Sequence, residues 1–142
     1  NSKIYKIMEA IILDGKKFTI KKLENKDLKN VKKFQEYINA LVEEEAMLSI
    51  NRKFTLKEEK EALEGILKKM KAKNEIFIFA KYGDDIAGVS SVKLGNYAHN
   101  HIGTFGISIA KQYRGIGLGR ALMAKAMRTH WQNDALHLHL HI

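Results

Sequence analysis

Cysteine and proline are both missing from the 142 residues. Without cysteine there is no disulfide, no thiolate metal site and no cysteine acyl-enzyme, and the chain suits a reducing compartment. Average usage of about 5% would supply several prolines; with none, no element is interrupted by one. Long apolar runs are also missing, so no helix is expected to span a membrane. The opening Asn1-Ser2-Lys3-Ile4-Tyr5-Lys6-Ile7 lacks the apolar core of a signal peptide. These absences predict a cytoplasmic protein. Residue 1 is not Met, so a processed, engineered or unobserved start is expected there, with Met8 as a candidate native start.

Hydrophobic content of 45% and charged content of 29% are those of an ordinary globular protein. The length predicts one domain, residues 1–142, with a proper core. The formal charge of +9 would attract nucleic acid, an anionic membrane or a polyanionic cofactor. The cations are spread along the chain, as in Lys16-Lys17, Lys21-Lys22 and Lys32-Lys33, and no basic stripe is interleaved with aromatics. A solvated lysine surface is therefore the better reading. Neither membrane nor nucleic acid is expected as a partner.

Residues 18–23 read as a first strand. Leu28, Val31, Phe34, Ile38, Leu41, Val42 and Leu48 follow helical spacing and predict a long amphipathic helix, capped by Asn25 or Asp27. Thr55-Leu56-Lys57-Glu58 is a capping box, and the helix it opens runs to about Ala72. Residues 75–82 and 86–94 predict a hairpin around Gly83-Asp84-Asp85. Residues 95–100 form a turn, and residues 101–109 a further strand. A helix begins after Gly119, and residues 136–142 alternate Leu and His with the period of a strand. The predicted order is β-α-α-β-β-β-α-β.

The most informative segment joins the strand ending at Ile109 to the following helix: Arg114-Gly115-Ile116-Gly117-Leu118-Gly119-Arg120. Alternate glycines let the backbone turn tightly and approach a ligand. Free N–H groups at the helix start, with flanking cations, suit a pyrophosphate. A Walker loop is excluded, because no Gly-Lys-Ser/Thr follows. The Rossmann fingerprint is Gly-x-Gly-x-x-Gly near the start of a βαβ unit, whereas here the spacing is Gly-x-Gly-x-Gly, late in the chain.

The segment instead resembles motif A of the GNAT superfamily, the acyl-CoA N-acyltransferases, whose pattern is Gln/Arg-x-x-Gly-x-Gly/Ala. Arg114, Gly117 and Gly119 take its defining positions, and the strand before and the Arg-Ala-Leu-Met after also match. The resemblance implies an α/β fold with a central, mostly antiparallel mixed sheet flanked by helices. It implies acetyl-CoA as cosubstrate and an amine, on a small molecule or a protein, as acceptor, acetylated by direct attack in a ternary complex. Gly115, Ile116, Gly117, Leu118, Gly119 and Arg120 would hold the pyrophosphate by their backbone, and Arg114 and Arg120 could pair with phosphates. Ile107, Ser108 and Ile109 would pair with the pantetheine amides, and a backbone N–H among them could stabilise the oxyanion.

Some expected features are missing. Many relatives carry a Glu on the strand entering the loop, but Gly103-Thr104-Phe105-Gly106 offers none. His101 is the nearest titratable group that could serve in its place, and Glu43-Glu44-Glu45, where relatives often line the acceptor pocket, could hold a cationic amine; for each, an exposed surface role is the preferred reading. No catalytic residue is assigned. The absence of that Glu keeps open a non-enzymatic acyl-CoA-binding or regulatory module. Relatives usually continue with a helix and two strands, so the C-terminal third of the fold is expected to be lacking. The exposed edge of residues 136–142 would then favour a homodimer. His137, His139 and His141 would share a strand face, but nothing completes a metal site, and none is expected.

Overall fold

A computed structural model of the chain describes residues 8–44, 52–93 and 104–141, with the helical backbone alone for residues 130–141. Five strands form one sheet in chain order: β1 (Met8–Leu13), β2 (Lys16–Lys22), β3 (Glu75–Tyr82), β4 (Asp85–Lys93) and β5 (Thr104–Ile109). Every neighbouring pair is antiparallel. Helices α1 (Val31–Glu43) and α2 (Leu56–Lys71) lie between β2 and β3, and α3 (Leu118–His141) follows β5.

The hairpin of β3 and β4 and the helix opened by Thr55 match the sequence reading closely. Thr55 Oγ1 accepts from the Glu58 N–H at 3.1 Å, and Glu58 returns a bond to the Thr55 N–H at 2.9 Å. Three expectations need correction. First, a strand precedes residue 18: β1 pairs with β2 from Met8↔Lys21 to Leu13↔Lys16. Asp14 and Gly15 link them at φ of 52° and 73°, the doubly positive pattern of a two-residue hairpin turn. Second, the first helix opens with a 3-10 turn, Asn25–Asn30, before α1. Its N-cap is Glu24, whose N–H donates to Asp27 Oδ2 at 2.8 Å.

Third, α3 continues through residues 136–141, where the Leu/His alternation predicts a strand. No Gly or Pro occurs from Arg120 onward, and Ala, Leu and Met propagate a helix well. The sheet gains no strand there. The homodimer expected through the edge of that strand loses its basis, and a period of two marks no single face on a helix.

The helices cover opposite faces of the sheet. A Cβ on Gly119 of α3 would touch Ile107 and Ile109, while Ser108, between them, bonds to Tyr37 of α1. Alternation along β5 therefore assigns α3 to one face and α1 with α2 to the other. β3 is buried on both faces: Ile76, Ile78 and Ala80 alternate with Phe77 and Phe79, all under 9% exposed. Phe79 meets Phe34 of α1 edge-on at 5.0 Å. One buried cation sits in this layer. Lys21 bonds to both oxygens of Asp27 at 2.9 Å, pairs with Glu24 at 2.9 Å and lies 5.6 Å from the Phe79 ring centre. Burial alone would lower its pKa, but the bonds to Asp27 and Glu24 outweigh burial and raise it.

Candidate acyl-CoA site

β5 is the last strand of the sheet, so one of its edges is unpaired among the described residues. Which groups face that edge follows from the register. The Ala110 N–H donates to Ala87 O at 2.8 Å, and Ser108 stands opposite Val89. In an antiparallel ladder, hydrogen-bonded positions alternate. Ser108 and Ala110 therefore turn their backbone groups toward β4, while Ile107 and Ile109 turn theirs outward. Of the three predicted residues, two present N–H and C=O groups to the open edge and one holds the sheet together.

Beyond Ile109 the chain makes a 3-10 turn, Lys111–Tyr113, and then the glycine loop. Tyr113 anchors the turn: it is buried, edge-on to Phe18 at 5.6 Å and tilted against Tyr82 at 5.6 Å. Gly115 and Gly117 take φ of +77° and +93°. A Cβ on Gly115 would meet nothing within 4 Å, and one on Gly117 only Leu13 at 3.8 Å. The glycines answer to backbone conformation, not to crowding, and the space over the loop stays open. The first helical bond runs from the Ala121 N–H to Gly117 O at 3.1 Å. The N–H groups of Leu118, Gly119 and Arg120 precede it, and helix geometry gives them no intrahelical acceptor. Leu118 and Leu122 are 1% and 0% exposed and fix this helix start against the sheet.

Arg114 ties the loop to its surroundings. Its Nε donates to Ile109 O at 2.9 Å, and its two terminal nitrogens reach Glu44 at 2.7 and 3.2 Å. The guanidinium thus joins the end of β5 to the end of α1. Arg120 and Ile116 lie at the loop surface, exposed and half-buried respectively. Glu43 pairs with Lys53 at 3.3 Å, so neither Glu43 nor Glu44 has a free carboxylate. Glu45 and His101 lie outside the described residues.

A cavity of about 360 Å³ opens between α1, α2 and the strands β4 and β5. Phe34, Phe54, Leu63 and Phe77 give it an apolar wall, and Ser91, Gly106 and Ser108 line its sheet side. Two titratable groups face it. Tyr37 is 7% exposed, its hydroxyl 2.5 Å from Ser108 Oγ, and burial pushes its phenol well above the usual value. Glu59 is also 7% exposed, and burial pushes its carboxyl up to about 7. The sequence reading missed both. The available signal was position: Glu59, Leu63, Ile66, Leu67 and Met70 share one helical stripe, so a carboxylate interrupts an apolar face.

A model of the Acetyltransferase (GNAT) family matches residues 40–142. The chain belongs to the GNAT acetyltransferase family. Solved GNAT-type structures share its fold at low sequence identity. The ribosomal-protein-S5-alanine acetyltransferase of Vibrio fischeri is 15% identical with a TM-score of 0.71, over 89% of this chain and 69% of that one. A GNAT acetyltransferase of Streptococcus pneumoniae is 22% identical with a TM-score of 0.56, over 80% of this chain and 66% of the other. The putative acetyltransferase yncA of Salmonella typhimurium, solved with acetyl-CoA, is 14% identical with a TM-score of 0.62, over 81% and 64%. The chain thus spans about two thirds of the length of these neighbours. A comparison with curated proteins found no match. No described helix is long and apolar enough to cross a membrane.

Proposed function

We propose that this GNAT chain is an N-acetyltransferase that moves an acetyl group from acetyl-CoA to a primary amine by direct attack, with both substrates bound. The observation that carries the reading is the continuity of an open strand edge, a positive-φ glycine loop and a helix start. These residues fit the cosubstrate. Ile107 offers an outward amide and carbonyl and Ile109 an outward amide, its carbonyl already accepting from Arg114, where the pantetheine amides can complete the ladder. Gly115 to Arg120 offer backbone N–H groups to the pyrophosphate, aided by the helix dipole. When bound, acetyl-CoA supplies an activated thioester, and the site's part is to hold it still and exclude water. Arg114 keeps the loop seated on β5 and α1, and Tyr37 holds β5 against α1 through Ser108.

The absence of cysteine removes the commonest covalent route, which favours direct transfer. Thr104–Ile109 carries no carboxylate, which favours the second reading, a module that binds acyl-CoA without turning it over. Two measurements separate them. Thermal melting with excess acetyl-CoA tests binding, since a ligand of the native state raises the midpoint by mass action. Mass analysis of amines incubated with the protein and acetyl-CoA tests transfer. No shift with either CoA or acetyl-CoA sinks both readings, and a shift without an acetylated product sinks the first.

A further inference from the structure

The Glu59 carboxylate is an anomaly in the fold. It stands on a mostly apolar wall, and no hydrogen bond or ion pair holds it among the described residues. The cavity it faces is bounded on the sheet side by Gly106, Ile107 and Ser108, the stretch whose outer edge is read above as the pantetheine track. Charges nearby are few. Tyr37 on α1 is the other titratable group on the wall, while β3, β4 and β5 contribute Phe77, Val89, Ser91 and Ser108. The 3-10 turn that also packs on α2 carries Asp27, which is committed to Lys21. Burial is what shifts the Glu59 carboxyl upward, so it holds a proton more firmly than a solvated carboxylate.

We propose that the cavity beneath β5 takes a monocationic primary amine with an apolar aliphatic or aromatic body, and that Glu59 receives its ammonium group and takes the proton that must leave before attack. This rests on the acetyl-transfer reading above. One carboxylate in an apolar cavity neutralises one ammonium, and a second cationic group on the same molecule would enter without a partner. The volume is at the small end of ligand pockets. An ammonium N–H breaks and an O–H forms on Glu59. The freed amine attacks the acetyl carbon, forming C–N as C–S breaks. The nitrogen's second proton passes to the CoA sulfur, and Glu59 returns its proton to water as product leaves.

The test uses the full chain with acetyl-CoA and phenethylamine, hexylamine and spermidine as acceptors. We expect kcat/KM for phenethylamine or hexylamine at least tenfold above that for spermidine. Glu59→Gln should lower kcat/KM by about 100-fold or more, in the range of a lost general base. It should also remove an acidic limb near pH 7 from the rate profile, with the acetyl-CoA melting shift unchanged. A readout independent of turnover is the carbon NMR titration of the Glu59 carboxyl, whose pKa should fall when phenethylamine is added to the CoA-bound protein. Spermidine as the better acceptor would overturn the amine class. Near wild-type kinetics in Glu59→Gln, or a Glu59 titration indifferent to phenethylamine, would overturn the role of Glu59. Loss of acetyl-CoA binding in the wild type would instead sink the acetyl-transfer reading, a different failure seen in a different measurement.

Discussion

Gly88 illustrates how single atoms set the distance between α3 and the sheet. A Cβ there would stand 2.8 Å from Ile109 Cδ1, 2.8 Å from Leu122 Cδ1 and 3.2 Å from Ser108 O. Leu122 is fully buried and the Ser108 carbonyl is backbone, so neither can retreat freely. Gly88→Ala should therefore destabilise the domain by about 1–3 kcal/mol through overpacking, read as a lower urea midpoint at unchanged slope. An unchanged midpoint would mean that α3 sits further from β4 than described. Lys21 is the other residue whose surroundings fix its effect. Asp27→Asn leaves a buried ammonium with Glu24 as its remaining carboxylate, and should cost about 3 kcal/mol. A loss below 1 kcal/mol in the same urea experiment would show the pair to be dispensable. Neither residue declared itself in the sequence: a lysine in a strand reads as solvent-facing, and Gly88 as an ordinary strand glycine. Their roles come from what the fold sets opposite them.

Among the elements, those with local signals were legible. The capping box at Thr55 starts α2 because its bonds lie within four residues, and the apolar run of β3 is buried on both faces as such runs tend to be. The glycine loop was legible for the same reason: Gly115 and Gly117 need positive φ wherever the rest of the chain goes. The misses have physical causes too. β1 has polar Glu9 near its start, and its pairing depends on the Asp14-Gly15 turn more than on its own pattern. The tail of α3 shows a period of two with no residue that stops a helix, and propagation decided the outcome. Glu59 was hidden because Lys57 to Lys60 reads as a solvated helix face, although its place on the apolar stripe argued otherwise. The loop itself separates two substitutions. At φ of +93°, Gly117→Val forces a β-branched residue into the left-handed region at about 1–3 kcal/mol. Gly119→Ala adds a methyl at ordinary contact, 3.7 Å from Ile107, and replaces a helical glycine with a better helix former. Gly117→Val should lower both stability and acetyl-CoA affinity. Gly119→Ala should keep or slightly raise the melting temperature, and any affinity it loses is then attributable to the site. A Gly119→Ala protein that unfolds would show that the helix start is packed more tightly than described.

At the scale of the whole molecule, the buried carboxylates of Glu59 and Glu75 and the half-buried one of Glu24 set an unusual dependence of stability on pH. Two effects oppose each other. Glu24 is held below its ordinary value of 4.5 by its bond to Lys21, so its contribution is present above pH 4.5 and is lost as pH falls further. Glu59 is raised by burial from 4.5 to about 7, and Glu75 is raised by burial as well. A carboxyl raised in the native state binds more protons folded than unfolded between those two values, so stability falls as pH climbs through that window and stays lower above it. The two trends place the optimum set by these groups at or below about pH 4.5, although the net charge of +9 grows more positive there and works against it. Glu59→Gln removes the larger alkaline loss. The variant should match the wild type near pH 4.5 and exceed it at pH 8 by about 1–3 kcal/mol, a rise of several degrees in melting temperature for a domain of this size. Melting curves of both proteins from pH 4 to pH 9 measure this directly. Parallel curves would mean that Glu59 titrates like a solvated carboxylate, with water or a partner group reaching it in the folded protein. A gain confined to high pH would mean that the fold tolerates a buried acid at a cost in stability that packing alone does not explain.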